Sequence, residues 1–271
     1  MRLTTDSVTL GYGATTIVDQ VTLEIPDAAT TVIVGANGCG KSTLLRGLAR
    51  LLKPTGGACL LDGEAVHKRP TREVARVLGL LPQQPLSPEG ITVVDLVSRG
   101  RQPHRGALSR WSEADEAAVA SALEMTGTLD LAARPVDELS GGQRQRVWIA
   151  LALAQQPEIL LLDEPTTFLD VSHQIDLLDL LHSLRVEQRT TVVMVLHDLN
   201  LAARYADHLV AMREGKVLAA GAPSQIVTPD LVRDVFGLDA QVVTDPVSGT
   251  PLVVPIGRHH LPAVTPPAKV S

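Results

Sequence analysis

The chain has 271 residues, 45% of them hydrophobic but only 2% aromatic, and a formal charge of −6. That length suits one large α/β domain, or one core with a smaller inserted subdomain, and the acidic balance argues against a nucleic-acid partner. No run approaches the ~20 apolar residues that span a bilayer, and Asp6 with its polar neighbours fills the place of an export signal; the expectation is a cytoplasmic protein that reaches any membrane through a partner.

Leu3 to Leu10 and Ile17 to Ile25 alternate as two strands about a turn at Gly11-Tyr12-Gly13-Ala14. Tyr12 sits in that glycine-flanked turn, where its ring could stack on a purine or be a plain surface residue; spacing alone does not choose. Thr31-Val32-Ile33-Val34 reads as a buried strand, and Thr43 to Leu52 repeats leucine along one helical face. Between them lies Gly35-Ala36-Asn37-Gly38-Cys39-Gly40-Lys41-Ser42, a G-x-x-x-x-G-K-S loop. Its glycines let successive N–H groups point inward at phosphate oxygens, and the helix N-terminus adds its positive dipole end. Lys41 is placed to reach the β- and γ-phosphates and Ser42 to take one position on Mg²⁺. The expectation is a nucleoside triphosphate site. Cys39 and Cys59 are the two cysteines; a disulfide from within the phosphate loop would be awkward, so a reducing compartment is expected.

Lys53-Pro54-Thr55-Gly56-Gly57 stops the helix. A strand over Ala58 to Asp62, a helix over Thr71 to Arg76 and a strand over Val77 to Leu81 follow, then the extended Pro82-Gln83-Gln84-Pro85. From about 86 to 140 the pattern is helical alone, with helices over Thr92 to Ser98 and Ser112 to Thr126, and reads as an inserted subdomain. Ser112 and Asp115 resemble a capping box. Arg99, Arg101, His104, Arg105 and Arg110 form a basic cluster, readable as a solvated face or as a docking surface for a partner or anionic lipid. Ser140, in Leu139-Ser140-Gly141-Gly142-Gln143, fits an N-cap for a helix over Arg144 to Gln155, a second helix end where an anion could bind.

Ile159 to Leu162 is a fully apolar strand of the kind found in parallel sheets, and it ends in Asp163-Glu164. In phosphate-loop proteins such an Asp holds the Mg²⁺ shell, and Glu164 is then placed to orient and deprotonate water. Asp170 precedes a helix to about Arg189. Thr191 to Leu196 is another buried strand, whose end presents His197 at the ligand edge of the same sheet. A hairpin over Val210 to Ala219, a helix over Pro229 to Phe236 and a terminal hairpin over about 240–256 complete the ordered part, and 257–271 reads as a disordered tail. The His259-His260 pair within it is set aside as a metal site.

In this order the motifs resemble those of the nucleotide-binding subunit of ABC transporters, over about residues 2–256. The resemblance implies an α/β fold: a P-loop NTPase core with a mostly parallel sheet, an N-terminal antiparallel β-subdomain and an inserted helical subdomain. It implies ATP and Mg²⁺ as ligands. Gly35, Asn37, Gly38, Gly40, Lys41, Ser42 and Thr43 then belong to the phosphate loop, and Gln83 to a loop serving metal and hydrolysis. Ser140, Gly142 and Gln143 match the signature sequence, Asp163 the Mg²⁺ aspartate, Glu164 the catalytic glutamate, Asp170 the loop after it, and His197 the γ-phosphate histidine. Tyr12 matches the adenine-stacking aromatic.

The resemblance further implies a head-to-tail homodimer in which Ser140 and Gly142 of one subunit close over ATP held by the other. Its partners would be membrane permease subunits and a substrate-binding protein, which place it on the cytoplasmic face of the membrane. Pro88 to Val93, Arg99 to His104 and Asp245 to Pro251 are locally similar to the ATPases of iron–siderophore importers. Cobalamin and haem importers are the nearest alternatives. A non-transport ABC ATPase fits less well, since neither long coiled coils nor a second ATPase module is present.

Overall fold

A computed structural model describes residues 2–257 apart from 84, 86, 107–109 and 168; the tail from Arg258 onward, with His259-His260, lies outside the described residues. Leu3–Tyr12 (β1) and Thr15–Ile25 (β2) pair antiparallel, with Leu3 opposite Ile25 and Tyr12 opposite Thr15. Gly11 and Tyr12 therefore stay in the ladder and the turn shrinks to Gly13-Ala14. Thr30–Gly35 (β3) runs through the phosphate loop into Lys41–Leu48 (α1).

The helix is shorter than the leucine run implies. Arg50 adopts a left-handed φ of 65°, and the amides of Leu51 and Leu52 fold back on the Arg46 carbonyl, an end that a left-handed residue permits. Gly56–Leu61 (β4) and the unexpected two-residue Glu64–Ala65 (β5) complete a four-stranded N-terminal sheet in the order β2-β1-β4-β5.

Thr71–Val77 (α2) leads to Leu78–Leu81 (β6). Up to the next strand the chain is helical: Val93–Ser98 (α3), a 3-10 turn over Arg99–His104, Glu113–Met125 (α4), two further 3-10 turns and Gly141–Ala154 (α5). The Ser112–Asp115 capping box forms at the start of α4. Then follow Ile159–Asp163 (β7), Val171–Gln188 (α6), Thr191–Val195 (β8), Leu199–Tyr205 (α7), His208–Arg213 (β9), Lys216–Gly221 (β10), Pro223–Ile226 (α8), Pro229–Phe236 (α9) and the hairpin Ala240–Thr244 (β11) with Pro251–Pro255 (β12). Helices α7 and α8 are not evident from sequence periodicity, being too short to show one.

The central sheet has the order β10-β9-β3-β8-β7-β6, parallel except for the edge strand β10. Its inner strands are apolar throughout because both faces are covered, and alternate residues feed different cores. Val32, Leu160, Leu162, Val192, Met194 and Leu209 pack with the helices α3 to α7. Ile33, Leu161, Val193, Val195 and Val210 pack with α1 and the N-terminal sheet.

The basic cluster is not one surface. Arg101 is buried, with its Nε donating to Asp115 Oδ1 at 2.9 Å and its Nη1 to the Ala154 carbonyl at 2.8 Å and Gln156 Oε1 at 3.0 Å. His104 Nε2 lies 2.8 Å from the Gln155 carbonyl, and Arg105 stacks over Trp111. From α2, Arg72 grips the carbonyls of Pro103 and Arg105, and Arg76 that of Pro103; Gln155 holds those of Ala75 and Leu78. An arginine turned inward finds its carboxylate, as a buried charge must.

Candidate active site

Parallel α/β sheets present ligand sites at the carboxyl ends of their strands. Here the loops after β3, β6, β7 and β8 bring the phosphate loop, Gln83, Glu164 and His197 to one edge. They enclose a cavity of about 460 Å³ lined by Tyr12, Ile17, Asn37, Gly38, Gly40, Lys41, Ser42, Thr43, Gln83, Glu164 and His197. The sequence assigns every one of these to the site except Ile17, which it places only in a strand.

The phosphate loop is keyed to its neighbours. Gly40, the residue before α1, has φ 107°, and a β-carbon there would lie 3.1 Å from the Ile17 carbonyl. Lys41 is buried, its ammonium donating to the carbonyls of Gly35 (2.9 Å) and Ala36 (3.1 Å), so its charge sits inside the loop. The turn between β9 and β10 braces the loop from behind. Its Gly215 N–H donates to the Cys39 carbonyl at 2.9 Å, and its carbonyl accepts from the Asp19 N–H at 3.0 Å. Tyr12, 48% exposed, accepts a hydrogen bond from Arg46 Nη1 at 3.1 Å, which holds the ring at the cavity mouth.

Ser42 Oγ donates to Asp163 Oδ1 at 2.7 Å. Burial pushes the Asp163 carboxyl above the usual carboxylate range, against the Ser42 hydrogen bond, and Glu164 beside it adds to the rise. A hydroxyl and a buried carboxylate touching at the edge of a phosphate cradle form the hard-oxygen donor set that Mg²⁺ takes together with substrate phosphates, so the residues present fit that ion. Glu164 is held from three sides. Gln83 Nε2 donates to its Oε2 at 2.6 Å, His197 Nε2 lies 2.7 Å from its Oε1, and Thr167 Oγ1 donates at 3.4 Å. Its backbone has a left-handed φ of 54°, a conformation a non-glycine residue adopts at a cost and that recurs at functional sites. The following carbonyl, of Pro165, accepts from Gln145 Nε2 at 2.9 Å.

Ser140, Gly142, Gln143 and Asp170 do not line this cavity. Ser140 caps α5 in a reciprocal box with Gln143: the Gln143 N–H donates to Ser140 Oγ at 3.3 Å, and the Ser140 N–H to Gln143 Oε1 at 3.1 Å. Asp170 caps α6, its Oδ1 accepting from the His173 N–H at 3.0 Å and Ser172 Oγ at 3.0 Å, with His173 Nδ1 at 2.6 Å. The His173 amide and ring and the Ser172 hydroxyl hold the Asp170 carboxyl below its ordinary value. Of the N-termini of α1 and α5, both suited to anions, only that of α1 opens into the cavity.

Comparison with known proteins places these motifs in a family. Residues 18–167 match the family model described as ABC transporter. The achromobactin transport ATP-binding protein CbrD of Dickeya dadantii is 56% identical over 94% of this chain and 95% of its own length. The ferric enterobactin transport ATP-binding protein FepC of Escherichia coli is 55% identical over 95% of each. Among solved structures, a chain of a metal-chelate type ABC transporter in an inward-facing conformation superposes with a TM-score of 0.82 at 28% identity, over 96% of this chain and 99% of that one. The dimeric bacterial ABC transporter cassette MJ0796 gives 0.73 at 31% identity, over 81% and 98%.

Proposed function

The chain belongs to the ABC transporter family, whose ATP-binding subunits hydrolyse ATP, and we propose that it powers the import of ferric siderophores through a membrane permease. The observation that carries the cargo class is identity above one half to siderophore-transport ATPases along nearly the whole chain, terminal hairpin included. No helix among the described residues is long and apolar enough to cross a membrane. The subunit would sit on the cytoplasmic face of the membrane against its permease, and a substrate-binding protein would deliver the cargo from the other side.

In this reading Tyr12 stacks on the adenine, while backbone N–H groups from Asn37 to Thr43 surround the phosphates. Lys41 supplies a fixed positive charge from within the loop. Ser42, Asp163 and Gln83 would hold Mg²⁺, which when bound neutralises phosphate charge. Glu164 takes the proton of the attacking water. Its two oxygens are fixed by Gln83 and His197, so little reorganisation is needed when the proton moves.

Ser140 and Gly142 lie away from their own cavity, which supports a head-to-tail pair. Each α5 N-terminus, with Gln143 and Asp170 beside it, would cover ATP held by the other subunit. Closure then needs ATP, and hydrolysis releases it.

The test is uptake of radio-iron, supplied as ferric siderophore, by cells lacking this gene and complemented with wild type or Glu164→Gln. Uptake should return with wild type alone, and purified Glu164→Gln should bind ATP, release no phosphate and accumulate as a dimer. Unchanged uptake in the deletion strain, with no redundant system, would sink the siderophore assignment. Turnover by Glu164→Gln at the wild-type rate would remove Glu164 from the chemistry.

A further inference from the structure

The terminal hairpin lies outside residues 18–167, the part matched by the family model, and nothing in the site just described uses it. Yet it is joined to the site by a short mechanical path. Strand β8 ends at Val195, and the Leu196 N–H donates to the Ile33 carbonyl at 3.3 Å. His197 follows, and then Asp198, which caps α7 by accepting from the N–H groups of Asn200 (2.8 Å) and Leu201 (2.9 Å). The backbone that carries His197 is therefore fixed on one side by the central sheet and on the other by the start of α7.

Helix α7 has seven residues, too few to persist without tertiary support. Much of that support comes from the hairpin. The Asn200 side chain grips one residue of β12 at both of its backbone groups. Its Nδ2 donates to the Val253 carbonyl at 3.2 Å, and its Oδ1 accepts from the Val253 N–H at 2.7 Å. One side-chain amide thus imitates a rung of a β-ladder. A turn further on, Arg204 Nη2 reaches Asp245 Oδ2 at 2.5 Å. Asp245 is itself the hub of the hairpin turn, accepting from the Val247 N–H at 2.9 Å and Ser248 Oγ at 2.8 Å. Tyr205 ties the far end of α7 to Asp179 of α6 at 2.8 Å. The hairpin thus grips α7 near both ends, at Asn200 close to His197 and at Arg204, and α6 adds a tie at Tyr205.

We propose that Asn200 is a positioning residue for ATP hydrolysis: by gripping Val253 it makes the terminal hairpin a splint for α7, and so fixes the backbone from which His197 reaches Glu164. The inference rests on the reading of His197 and Glu164 as the hydrolytic pair. It predicts a specific kinetic signature. Nucleotide binding depends on β3, α1 and Tyr12, to none of which the hairpin is hydrogen-bonded among the described residues, whereas the orientation of His197 matters at the chemical step. Misplacement of a positioned group by about 1 Å can cost on the order of 100-fold in rate.

The experiment compares full-length wild type with Asn200→Ala, Asp245→Asn and His197→Ala. It measures steady-state ATPase, equilibrium ATP binding, thermal midpoint and amide hydrogen exchange. Asn200→Ala should lower kcat roughly 10- to 100-fold, with KM and ATP affinity little changed. Exchange should quicken at residues 197–201 and in β12 while β3 and β8 stay protected. Asp245→Asn, which loosens the Arg204 anchor while leaving every residue of α7 unchanged, should act in the same direction more weakly.

Wild-type kcat in both hairpin variants, beside an inactive His197→Ala, would overturn the splint and leave the hydrolytic pair standing. A fall in kcat matched by equal loss of ATP binding and of protection throughout the sheet would overturn it too, since the hairpin would then stabilise the whole fold. Wild-type turnover by His197→Ala would instead refute the reading of the site on which the inference rests.

Discussion

Asp115→Ala tests what holds the helical stretch between β6 and β7 together. Arg101 and Asp115 side chains are each 7% exposed and meet at 2.9 Å. The guanidinium is also bound to Ala154 and Gln156, and Asp115 Oδ2 accepts from Ser112 Oγ at 2.8 Å. Removing the carboxylate leaves a guanidinium charge facing only neutral acceptors, away from water. Breaking a buried pair in that way costs about 3–5 kcal/mol, which in a protein of this size lowers Tm by roughly 6–20 °C.

Removing both partners leaves no uncompensated charge. Arg101→Met with Asp115→Ala should therefore be clearly more stable than Asp115→Ala alone, and denaturant melts of the four proteins should show strong coupling. The pH dependence has a definite sign. Arg101, with Ser112, holds the Asp115 carboxyl below its ordinary value. A depressed native pKa gives stability that is complete above about pH 4 and lost as pH falls through that native pKa. Asp115→Ala should flatten this acid limb. A single-variant cost under about 1 kcal/mol, or strictly additive costs, would refute the reasoning.

The turn behind the phosphate loop is testable with one carbon atom. Gly215 has φ 78°, and its β-carbon would come within 2.3 Å of the Ile17 carbonyl. Gly215→Ala should cost about 1–3 kcal/mol and weaken ATP binding measured by titration; unchanged affinity and Tm would contradict the bracing role. Tyr12→Ala should raise the Kd for ATP by roughly 2- to 13-fold, as loss of a stacked aromatic contact worth about 0.5–1.5 kcal/mol implies, with kcat unaffected at saturation; an unchanged Kd would remove the ring from the site. Burial pushes the Cys59 thiol up to about 12, so mass spectrometry after iodoacetamide treatment at pH 8 should find Cys59 unmodified in the folded chain and modified after denaturation. Rapid native modification would show that β4 opens.

The site was legible where chemistry dictates spacing. Phosphate binding needs Gly40, Lys41 and Ser42 in one run, and a parallel strand ending in Asp163-Glu164 announces itself by its apolar body. Legibility failed where position depends on distant partners. Ile17, which lines the cavity, is the extra residue at a register shift where Val18 faces Leu10 and Thr16 faces Gly11, and no local pattern marks that. Gln145 is one more polar residue on a helix until the Pro165 carbonyl is known to lie beside it. Arg101 reads as surface charge because its partners Asp115, Ala154 and Gln156 are 14, 53 and 55 residues away. Helix α7 is held by Val253 rather than by its own periodicity.

The grips on the 3-10 turn at Arg99–His104 share a chemical feature. Arg72 and Arg76 take hold of the turn's carbonyls at Pro103 and Arg105, while Arg101 and His104 reach carbonyls of α5. Main-chain oxygens are supplied by every amino acid. The path of this segment is thus secured by main-chain oxygens and not by the side chains at Gln102 and Pro103. A lineage can rewrite the chemistry displayed there, or an engineer can, while the mount beneath stays where it is.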